Sequence, residues 1–353
     1  MIKTKMFDLE KIIRPNIKKM KAYSSARNEY KGNEGVFLDA NENPFNNPYN
    51  RYPDPLQNDL KRKLGEIKKI DVSQIFLGNG SDEAIDLLIR AFCEPGKDSV
   101  LSLDPSYGMY QVAADTNAVD FKTVALNPDF TLNVGRLKKA IDNTVKLIFI
   151  CSPNNPSANH FDKEDILYIA SVFDGLVIVD EAYIDFSPYS SILNELANYK
   201  NLVVLQTFSK AWGLAGIRLG IAYASEDIIA ILNKIKYPYN VNILTQNVAL
   251  EALGNLNEKD KWVQTILLQK QFLMEKLKNM EVVEHIYPSD ANFLLVKVKK
   301  INELFNYLIE NQIITRNRSK VTLCEDCIRI TIGNEVENRI LLEAMSDFED
   351  QFL

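Results

Sequence analysis

Residues 176–220, LVIVDEAYIDFSPYSSILNELANYKNLVVLQTFSKAWGLAGIRLG, decide the fold of this chain. The stretch contains two short apolar runs, at 176–179 and 202–206, and polar residues follow each run. Apolar runs of this length are typical of strands that are buried on both faces of a parallel sheet. Because open α/β sheets bind ligands at the carboxyl ends of their strands, we expect the polar residues at those ends to form a functional site.

Further strand-like runs flank this stretch and alternate with helical patterns. They lie at residues 75–77, 100–103, 121–124, 147–151 and 220–223. Asp162 can cap a crossover helix that follows the run at 147–151. The alternation predicts an α/β fold whose large domain contains a mostly parallel sheet flanked by helices.

The remainder of the chain has a different pattern. From residue 228 it is mainly helical for roughly fifty residues, with an interruption at Tyr237-Pro238-Tyr239 that indicates a helix break. A smaller α+β unit follows, with strand patterns at 292–298 and 327–332, a helical pattern at 302–310, and a last helix that Asn334 and Glu337 can open as a capping box.

These patterns divide the 353 residues into three parts, which is compatible with the length of the chain. Residues 1–44 are expected to form an amino-terminal arm and part of the small domain. Residues 45–255 form the large domain, and residues 256–353 form the small carboxyl-terminal domain.

Composition excludes several classes of partner. The chain has 41 Lys and Arg against 47 Asp and Glu, so its formal charge of -6 offers no general positive field for nucleic acid or for anionic lipid. The first fifteen residues lack the apolar core of a secretory signal, and no apolar run approaches the ~18 residues of a membrane span. We therefore expect a cytoplasmic protein.

The four cysteines include one C-x-x-C pair, Cys324 and Cys327. Such a pair can hold zinc or carry out redox chemistry. A zinc site needs a second pair or nearby histidines, and a thioredoxin-like motif lies at a strand-to-helix turn, whereas this pair leads into a strand pattern. The other cysteines and the histidines are scattered, at Cys93, Cys151, His160 and His285. We expect no metal site.

The two strand ends within residues 176–220 carry most of the candidate chemistry. Asp180 ends the first run and Tyr183 follows closely, while Ser209 and Lys210 follow the second run, with Arg218 eight residues beyond Lys210. Any one of these residues could belong to an ordinary loop ion pair. Together at two neighbouring strand ends they indicate a ligand site.

This set resembles the fold-type-I aminotransferases that depend on pyridoxal phosphate (PLP), and within them the histidinol-phosphate aminotransferase family. Motifs along the whole chain share the resemblance in the order of that family: LDANENP at 38–44, RYPDP at 51–55, GNGSDE at 78–83, SPNNP at 152–156 and TFSKAWGLAGIRLG at 207–220. Several motifs in order are far more specific than any one of them.

The resemblance implies roles around the cofactor ring. Lys210 is expected to carry the cofactor aldehyde, and Asp180 to pair with the pyridine nitrogen and keep it protonated. Tyr183 and Asn155 are expected to donate hydrogen bonds to the ring oxygen O3′. Tyr110, within the sequence PSYGMY at 105–110, is expected to stack on the ring face.

The resemblance also implies a cup for the cofactor phosphate. Ser81 and Asp82 follow a strand and open a helix, where free backbone amides bind anions. A plain helix cap by Ser81 would be compatible with that role. Ser209 and Arg218 are expected to complete the cup, and Tyr52 to reach it from a neighbouring subunit, which implies a homodimer.

Substrate binding is expected to fall to arginines, whose forked donors suit carboxylates and phosphates. By the resemblance, Arg329 holds the substrate α-carboxylate, Arg316 holds a phosphate, Asn155 also contacts the substrate, and Tyr23 belongs to an arm that folds over it. We interpret Arg318 as a solvated surface charge and leave it outside the site.

These expectations describe a histidine-biosynthesis enzyme that exchanges an amino group between L-histidinol phosphate or imidazole-acetol phosphate and glutamate or 2-oxoglutarate. A threonine-phosphate decarboxylase, an aminotransferase for aromatic or neutral amino acids, and a non-catalytic sensor or scaffold are the alternatives. A dinucleotide site fails because Glu83 replaces the third glycine of G-x-G-x-x-G.

One turn departs from the family pattern. Relatives usually have Thr-Gly where this chain has Ser157-Ala158. Ser157 keeps a hydroxyl, but Ala158 lacks the freedom of glycine at positive φ, so we expect the turn to differ in detail.

Overall fold

A computed structural model describes residues 7–23 and 35–353 of the chain. Its main sheet has seven strands, in the spatial order β1-β7-β6-β5-β4-β2-β3. Their bounds are β1 Ile75–Asn79, β2 Ser99–Asp104, β3 Asp120–Ala125, β4 Val145–Cys151, β5 Leu176–Asp180, β6 Leu202–Thr207 and β7 Leu219–Tyr223. Each predicted strand is present, and the observed bounds differ from the predicted ones by no more than a few residues.

The direction of the strands confirms the predicted sheet type. β2 pairs in parallel with β3 and β4, and the pairs β4/β5 and β5/β6 are also parallel. β7 alone is antiparallel to its neighbours β1 and β6. The carboxyl ends of β4, β5 and β6 therefore meet at one edge of the sheet, where the residues after them can converge.

Helices cover both faces of this sheet because each carries an apolar stripe. They are α1 Pro15–Lys19, α2 Asn58–Lys68, α3 Gly80–Phe92, α4 Met109–Thr116, α5 Val134–Ala140, α6 Lys163–Val172, α7 Glu226–Ile235 and α8 Ile243–Leu253. Asp162 caps α6 as predicted, since its side chain accepts a hydrogen bond from the Glu164 amide. Buried aliphatic side chains form one apolar cluster on each face of the sheet.

The predicted helix break separates α7 from α8. Lys236 ends α7 and its amino group donates to the backbone oxygens of Pro55 and Pro238. The long helix α9, Leu256–Leu277, then leads into the smaller unit. Its last turns bury Leu273 and Leu277 in the core of that unit.

The smaller unit contains a four-stranded antiparallel sheet in the order β10-β11-β9-β8. Its elements are β8 Val283–Ile286, β9 Phe293–Val298, α10 Ile301–Glu310, β10 Arg316–Asn317, β11 Cys327–Thr331 and α11 Glu335–Phe352. The capping box of Asn334 and Glu337 is formed in both directions. The sequence did not reveal β8, which is only half-buried, or β10, which has two residues.

Part of the amino-terminal arm packs on the large unit. Ile12, Ile13 and Ile17 join the apolar cluster that contains the buried face of α3. The Arg14 amide donates to the Ala91 oxygen at the end of that helix. We expected residues 1–44 to form an arm and part of the small domain, and these contacts describe only residues 12–17 of that arm. The boundaries at 44/45 and 255/256 stay predictions.

Within the described ranges, no helix is long and apolar enough to cross a membrane.

Candidate active site

A pocket lies where the carboxyl ends of β4, β5 and β6 meet the start of α3. Its empty volume, including the part open to solvent, is about 610 Å³. The lining residues are Gly80, Ser81, Asp82, Tyr107, Cys151, Asn155, Asp180, Ala182, Tyr183, Thr207, Ser209, Lys210, Ala215 and Arg218. Eight residues predicted from the sequence are among them. Tyr110, Tyr52, Tyr23, Arg316 and Arg329 do not line this pocket.

Asp180 is a buried carboxylate at the bottom of the pocket, at the end of β5. Its Oδ2 accepts a hydrogen bond from the Tyr110 hydroxyl at 2.8 Å, and its Oδ1 accepts one from the Ala182 amide at 3.1 Å. Burial raises the pKa of the Asp180 carboxyl to about 6, while the two hydrogen bonds oppose that rise. A cation placed against this carboxylate would favour its ionised form.

The structure corrects the role that we expected for Tyr110. Its side chain is fully buried behind Asp180, where its ring stacks on Phe149 with centroids 4.7 Å apart. It therefore cannot face a cofactor ring. The tyrosine that lines the pocket is Tyr107, whose hydroxyl donates to Asp82 at 3.3 Å.

Lys210 follows β6 in the loop 208–214, and its side chain extends into the pocket. Its Nζ lies 5.7 Å from the centre of the Tyr183 ring. Partial burial lowers the pKa of the Lys210 amine, and nearby Arg329 lowers it further. A lowered pKa makes the neutral, nucleophilic amine easier to reach at physiological pH.

The start of α3 forms a concave anion site with Arg218. Asn79 is the N-cap, but its side chain caps no amide of the helix. The Gly80 amide donates to the Arg218 oxygen, so the donors that the first turn offers an anion are the amides of Ser81 and Asp82, both of which line the pocket. Gly220 allows β7 to lie against this turn, since a Cβ there would stand 2.0 Å from the Ser81 nitrogen. Asp82 holds Arg218, with 3.4 Å between Nη2 and Oδ2.

The other wall of the anion site comes from the end of β6. Thr207 and Ser209 are linked, because the Ser209 amide donates to Thr207 Oγ1 at 3.1 Å and the two hydroxyl oxygens lie 3.0 Å apart. Thr207 was not predicted from the sequence. Its position as the last residue of a strand that ends at the site was the signal that could have identified it.

A hydrogen-bonded chain joins the pocket to the small sheet. Arg329 Nη1 donates to Asn155 Oδ1 at 2.6 Å, and Asn155 Nδ2 donates to the Tyr183 hydroxyl at 3.3 Å. Asn155 and Tyr183 are both buried. The guanidinium of Arg329 also lies over the Phe293 ring, 5.3 Å from its centre. Arg329 thus stands at the pocket entrance and contacts a residue that lines the pocket.

The turn that carries Asn155 keeps the glycine-like geometry despite its substitution. Ala158 has φ 68°, in the left-handed region that favours glycine. Its amide donates to the Asn154 oxygen at 2.9 Å, and its own oxygen accepts from the Asp290 amide at 2.8 Å. The alanine therefore adopts a backbone conformation that favours glycine, and it carries the strain of that conformation.

Arg316 and Arg329 lie directly opposite each other in the pairing of β10 with β11. Side chains at such opposed positions point to the same face of a sheet. Arg318 lies two residues beyond Arg316 and is half-buried, with its Nε buried and without a hydrogen-bond partner in the described part of the chain. This corrects our interpretation of Arg318 as a solvated surface charge.

Two predicted residues lie away from the pocket. Tyr52 is 49% exposed, and its ring stacks on Tyr239 with centroids 4.4 Å apart. Tyr23 is 68% exposed at the end of the first described segment. Residues 24–27, which belong to the same predicted arm, lie outside the described residues.

The C-x-x-C pair spans the start of β11, since Cys324 lies just before the strand and Cys327 is its first residue. Cys324 and Cys327 are buried thiols, and burial raises the pKa of each. Within residues 7–23 and 35–353, no group of three or more His, Cys, Asp or Glu side chains could hold a metal ion.

Comparison with known proteins gives a consistent result. The model of the family "Aminotransferase class I and II" matches residues 26–345. The histidinol-phosphate aminotransferase of Parabacteroides distasonis is 54% identical over 344 residues, which cover 98% of this chain and 100% of that protein. The one from Cytophaga hutchinsonii is 52% identical over 346 residues, which cover 97% and 99%.

A solved structure shares the fold. Histidinol-phosphate aminotransferase from Sinorhizobium meliloti, in complex with pyridoxal-5′-phosphate, matches with a TM-score of 0.79 at 22% identity, covering 86% of this chain and 84% of that one. The family match spans most of the chain, and the two relatives named above are 52% and 54% identical to it over nearly their whole length. The chain belongs to the aminotransferase class I and II family.

Proposed function

We propose that this chain is a PLP-dependent aminotransferase that exchanges an amino group between L-histidinol phosphate or imidazole-acetol phosphate and glutamate or 2-oxoglutarate. This reaction belongs to histidine biosynthesis. The chain of contacts from Arg329 through Asn155 to Tyr183 carries the proposal, because it links an anion-binding cation to the residues around the cofactor site. The relatives described above are named for this activity, and they align with this chain over nearly their whole length. Both facts support the choice of substrate.

The pocket has the groups that PLP requires. The amides at the start of α3, the hydroxyl of Ser209 and the guanidinium of Arg218 provide donors and positive charge for its phosphate. The buried carboxylate of Asp180 would pair with its pyridine nitrogen, and Tyr107 would provide an aromatic surface for its ring. When bound, PLP supplies an aldehyde that accepts amino groups and a ring that withdraws electrons.

Two residues of the chain act on protons. The Asp180 carboxylate holds the proton on the pyridine nitrogen, and the hydrogen bond from Tyr110 keeps that carboxylate ionised. The Lys210 amine is the point of covalent attachment. When its amine is free and neutral, Lys210 would act as the base that takes up and releases the proton at the substrate Cα. The lowered pKa of Lys210 favours this neutral form.

The remaining residues orient the substrate. Arg329 binds the α-carboxylate of glutamate, and its bond to Asn155 fixes the guanidinium toward the pocket. Arg316, on the same face of the small sheet, binds the phosphate of histidinol phosphate. The second carboxylate of glutamate can occupy the same place. Tyr23 would lie over the substrate.

The active unit is a homodimer in the cytoplasm. Tyr52 is half-exposed and lies outside the pocket of its own chain, which supports a contact with the cofactor phosphate of a partner. Further large apolar side chains that are close in sequence to Tyr52 or to its stacking partner Tyr239 are exposed: Phe45, Tyr49, Tyr237 and Leu244. An apolar surface of this kind is typical of a subunit interface. Sedimentation that finds only monomers at assay concentration would refute the dimer.

One assay tests the function. Purified protein is loaded with PLP, and glutamate is offered with imidazole-acetol phosphate beside other oxo acids. We expect L-histidinol phosphate and 2-oxoglutarate in equal amounts. Formation of an amine and CO2 from threonine phosphate without any 2-oxo acid would identify a decarboxylase instead. Faster turnover of aromatic or neutral oxo acids would point to a different aminotransferase, and no turnover with any pair would favour a sensor or scaffold.

A further inference from the structure

Two backbone hydrogen bonds determine the position of Arg318. Its amide donates to the Cys327 oxygen at 2.8 Å, which continues the pairing of β10 with β11 by one residue. Its oxygen accepts a hydrogen bond from the Val321 amide, also at 2.8 Å. Because alternate residues of a strand point to the same face, Arg318 shares a face with Arg316. Three arginines are thus arranged side by side, with Arg329 as the third.

Among the described residues, the side chain of Arg318 has no counter-charge. Its half-buried guanidinium forms no ion pair with any residue in the described ranges, and its Nε is buried without a partner. Burial lowers the pKa of Arg318 to about 10, and the neighbouring charges of Arg329 and Arg316 contribute. Three adjacent cations of this kind repel one another unless an anion lies between them.

The charges favour a dianion. Arg329 already donates to Asn155, so Arg316 and Arg318 are the pair that remains beside it. A phosphate monoester carries about -1.5 to -2 charges at pH 7 and offers three acceptor oxygens. Two guanidinium groups balance that charge and can each donate two hydrogen bonds, whereas a single carboxylate would leave one cation uncompensated.

We propose that Arg318 is a second phosphate-binding residue, which together with Arg316 selects substrates that carry a phosphate monoester dianion. The inference rests on the proposed function, because it assigns to that same site the residue that discriminates phosphorylated from unphosphorylated amines. It also accounts for the buried Nε of Arg318.

The test compares Arg318→Gln and Arg318→Lys with the matched control Lys320→Gln, which removes an exposed charge from the same loop. The PLP-loaded enzyme is used, so that the cofactor phosphate site is filled. For Arg318→Gln we expect kcat/KM in the half-reaction with L-histidinol phosphate to fall by ~10- to 100-fold, and with L-histidinol by less than about 3-fold. Arg318→Lys should fall between, and Lys320→Gln should match the unaltered enzyme.

A second readout does not depend on turnover. Inorganic phosphate should raise the melting temperature of the PLP-loaded enzyme and of Lys320→Gln, but much less that of Arg318→Gln. An equal loss on L-histidinol phosphate and L-histidinol, or an unchanged phosphate response in Arg318→Gln, would overturn the role of Arg318. If the unaltered enzyme did not use histidinol phosphate but the phosphate response still required Arg318, the proposed function would fail and the dianion site would stand.

Discussion

The charged side chains at the edge of the large sheet have partners within the protein, whereas those on the face of the small sheet mostly lack anionic partners within the described ranges. At the large sheet, Asp180 accepts two hydrogen bonds and Arg218 lies against Asp82. At the small sheet, Arg316 and Arg318 have no anionic partner within the described ranges, and Arg329 contacts a neutral amide. The first region is arranged for a group that stays bound. The second lacks the negative charge that a transient substrate brings.

This difference explains how one site accepts two dissimilar substrates. The strand ends hold the residues that act on every substrate, and their geometry is fixed by burial. In the proposed reaction, the arginines would contact the parts of the substrates that differ, a carboxylate in one and a phosphate in the other. Substitutions in the first region should therefore affect both half-reactions alike, whereas substitutions in the second should separate them.

The largest effect is expected at Lys210. Lys210→Ala should reduce turnover by more than about 1,000-fold on both substrates, because it removes the attachment point and the base together. Folding should be unaffected, since a partly exposed loop lysine contributes little to packing. Borohydride treatment of the PLP-loaded enzyme followed by peptide mapping should locate the reduced adduct on Lys210.

The control for that experiment is Lys200→Ala, which removes an exposed lysine that precedes β6. It should keep full activity and the same labelled peptide. An adduct on any lysine other than Lys210, or no colour after incubation with PLP, would remove the central assignment of the large-sheet region.

The second effect distinguishes the roles of Arg329 and Arg316 in the two half-reactions. Arg329→Ala should weaken the glutamate half-reaction by roughly 30- to several-thousand-fold, because it removes a charge-assisted pair with the α-carboxylate that histidinol phosphate lacks. Arg316→Ala should act most strongly on histidinol phosphate and to some degree on glutamate. Stopped-flow measurement of each half-reaction separates these losses, and an equal loss on both substrates for Arg329→Ala would contradict the assignment.

How far the sequence predicted the site differs between the two regions. Asp180, Lys210 and Arg218 could be predicted because strand ends and glycine-rich spacing are local patterns. Arg318 could not be recognised in this way, since β10 has two residues and shows no apolar alternation that would reveal its facing. Only the pairing with β11, seen in the structure, determines which way its side chain points.

The confusion of Tyr110 with Tyr107 has a different origin. Tyr110, Ala113 and Ala114 are all buried along α4, with the helical spacing of a core-facing stripe. That spacing was visible in the sequence and assigns Tyr110 to the core, whereas Tyr107 precedes the helix. Both tyrosines belong to the motif that carries the resemblance, and the helical periodicity indicates which of the two lies in the core.

The third effect tests whether the hydrogen bond from Tyr110 lowers the pKa of Asp180 in the large-sheet region. PLP binding to the cofactor-free protein should weaken as the pH falls through about 6, because the carboxylate that pairs with the pyridine nitrogen becomes protonated. The Tyr110 hydrogen bond lowers the pKa of Asp180. Tyr110→Phe removes that bond, so its loss of affinity should begin at higher pH and reach ~5- to 10-fold near pH 6.

Fluorescence titration with PLP at several pH values measures this difference. Tyr107→Phe is the matched control, because it removes a hydroxyl that donates to Asp82 and keeps the aromatic ring. Its pH dependence should follow that of the unaltered protein. A pH profile of Tyr110→Phe that coincides with the control would show that Tyr110 does not act through Asp180.

The smallest effect concerns the turn that joins the two regions through Asn155. Ala158→Gly relieves a left-handed alanine, worth about 1 kcal/mol, but it adds chain entropy to the unfolded state and removes a buried methyl group, at about 0.5 to 1 kcal/mol each. The free energy of unfolding should therefore change by less than about 1 kcal/mol, and both half-reactions should be unchanged.

Ala158→Val provides the contrast, because a β-branched residue at φ 68° is strongly disfavoured. It should destabilise the fold by ~2 kcal/mol or more and weaken glutamate use through Asn155. Denaturant unfolding of the three proteins measures these differences, and a large gain for Ala158→Gly would mean that the alanine strains the turn more than its hydrogen bonds indicate.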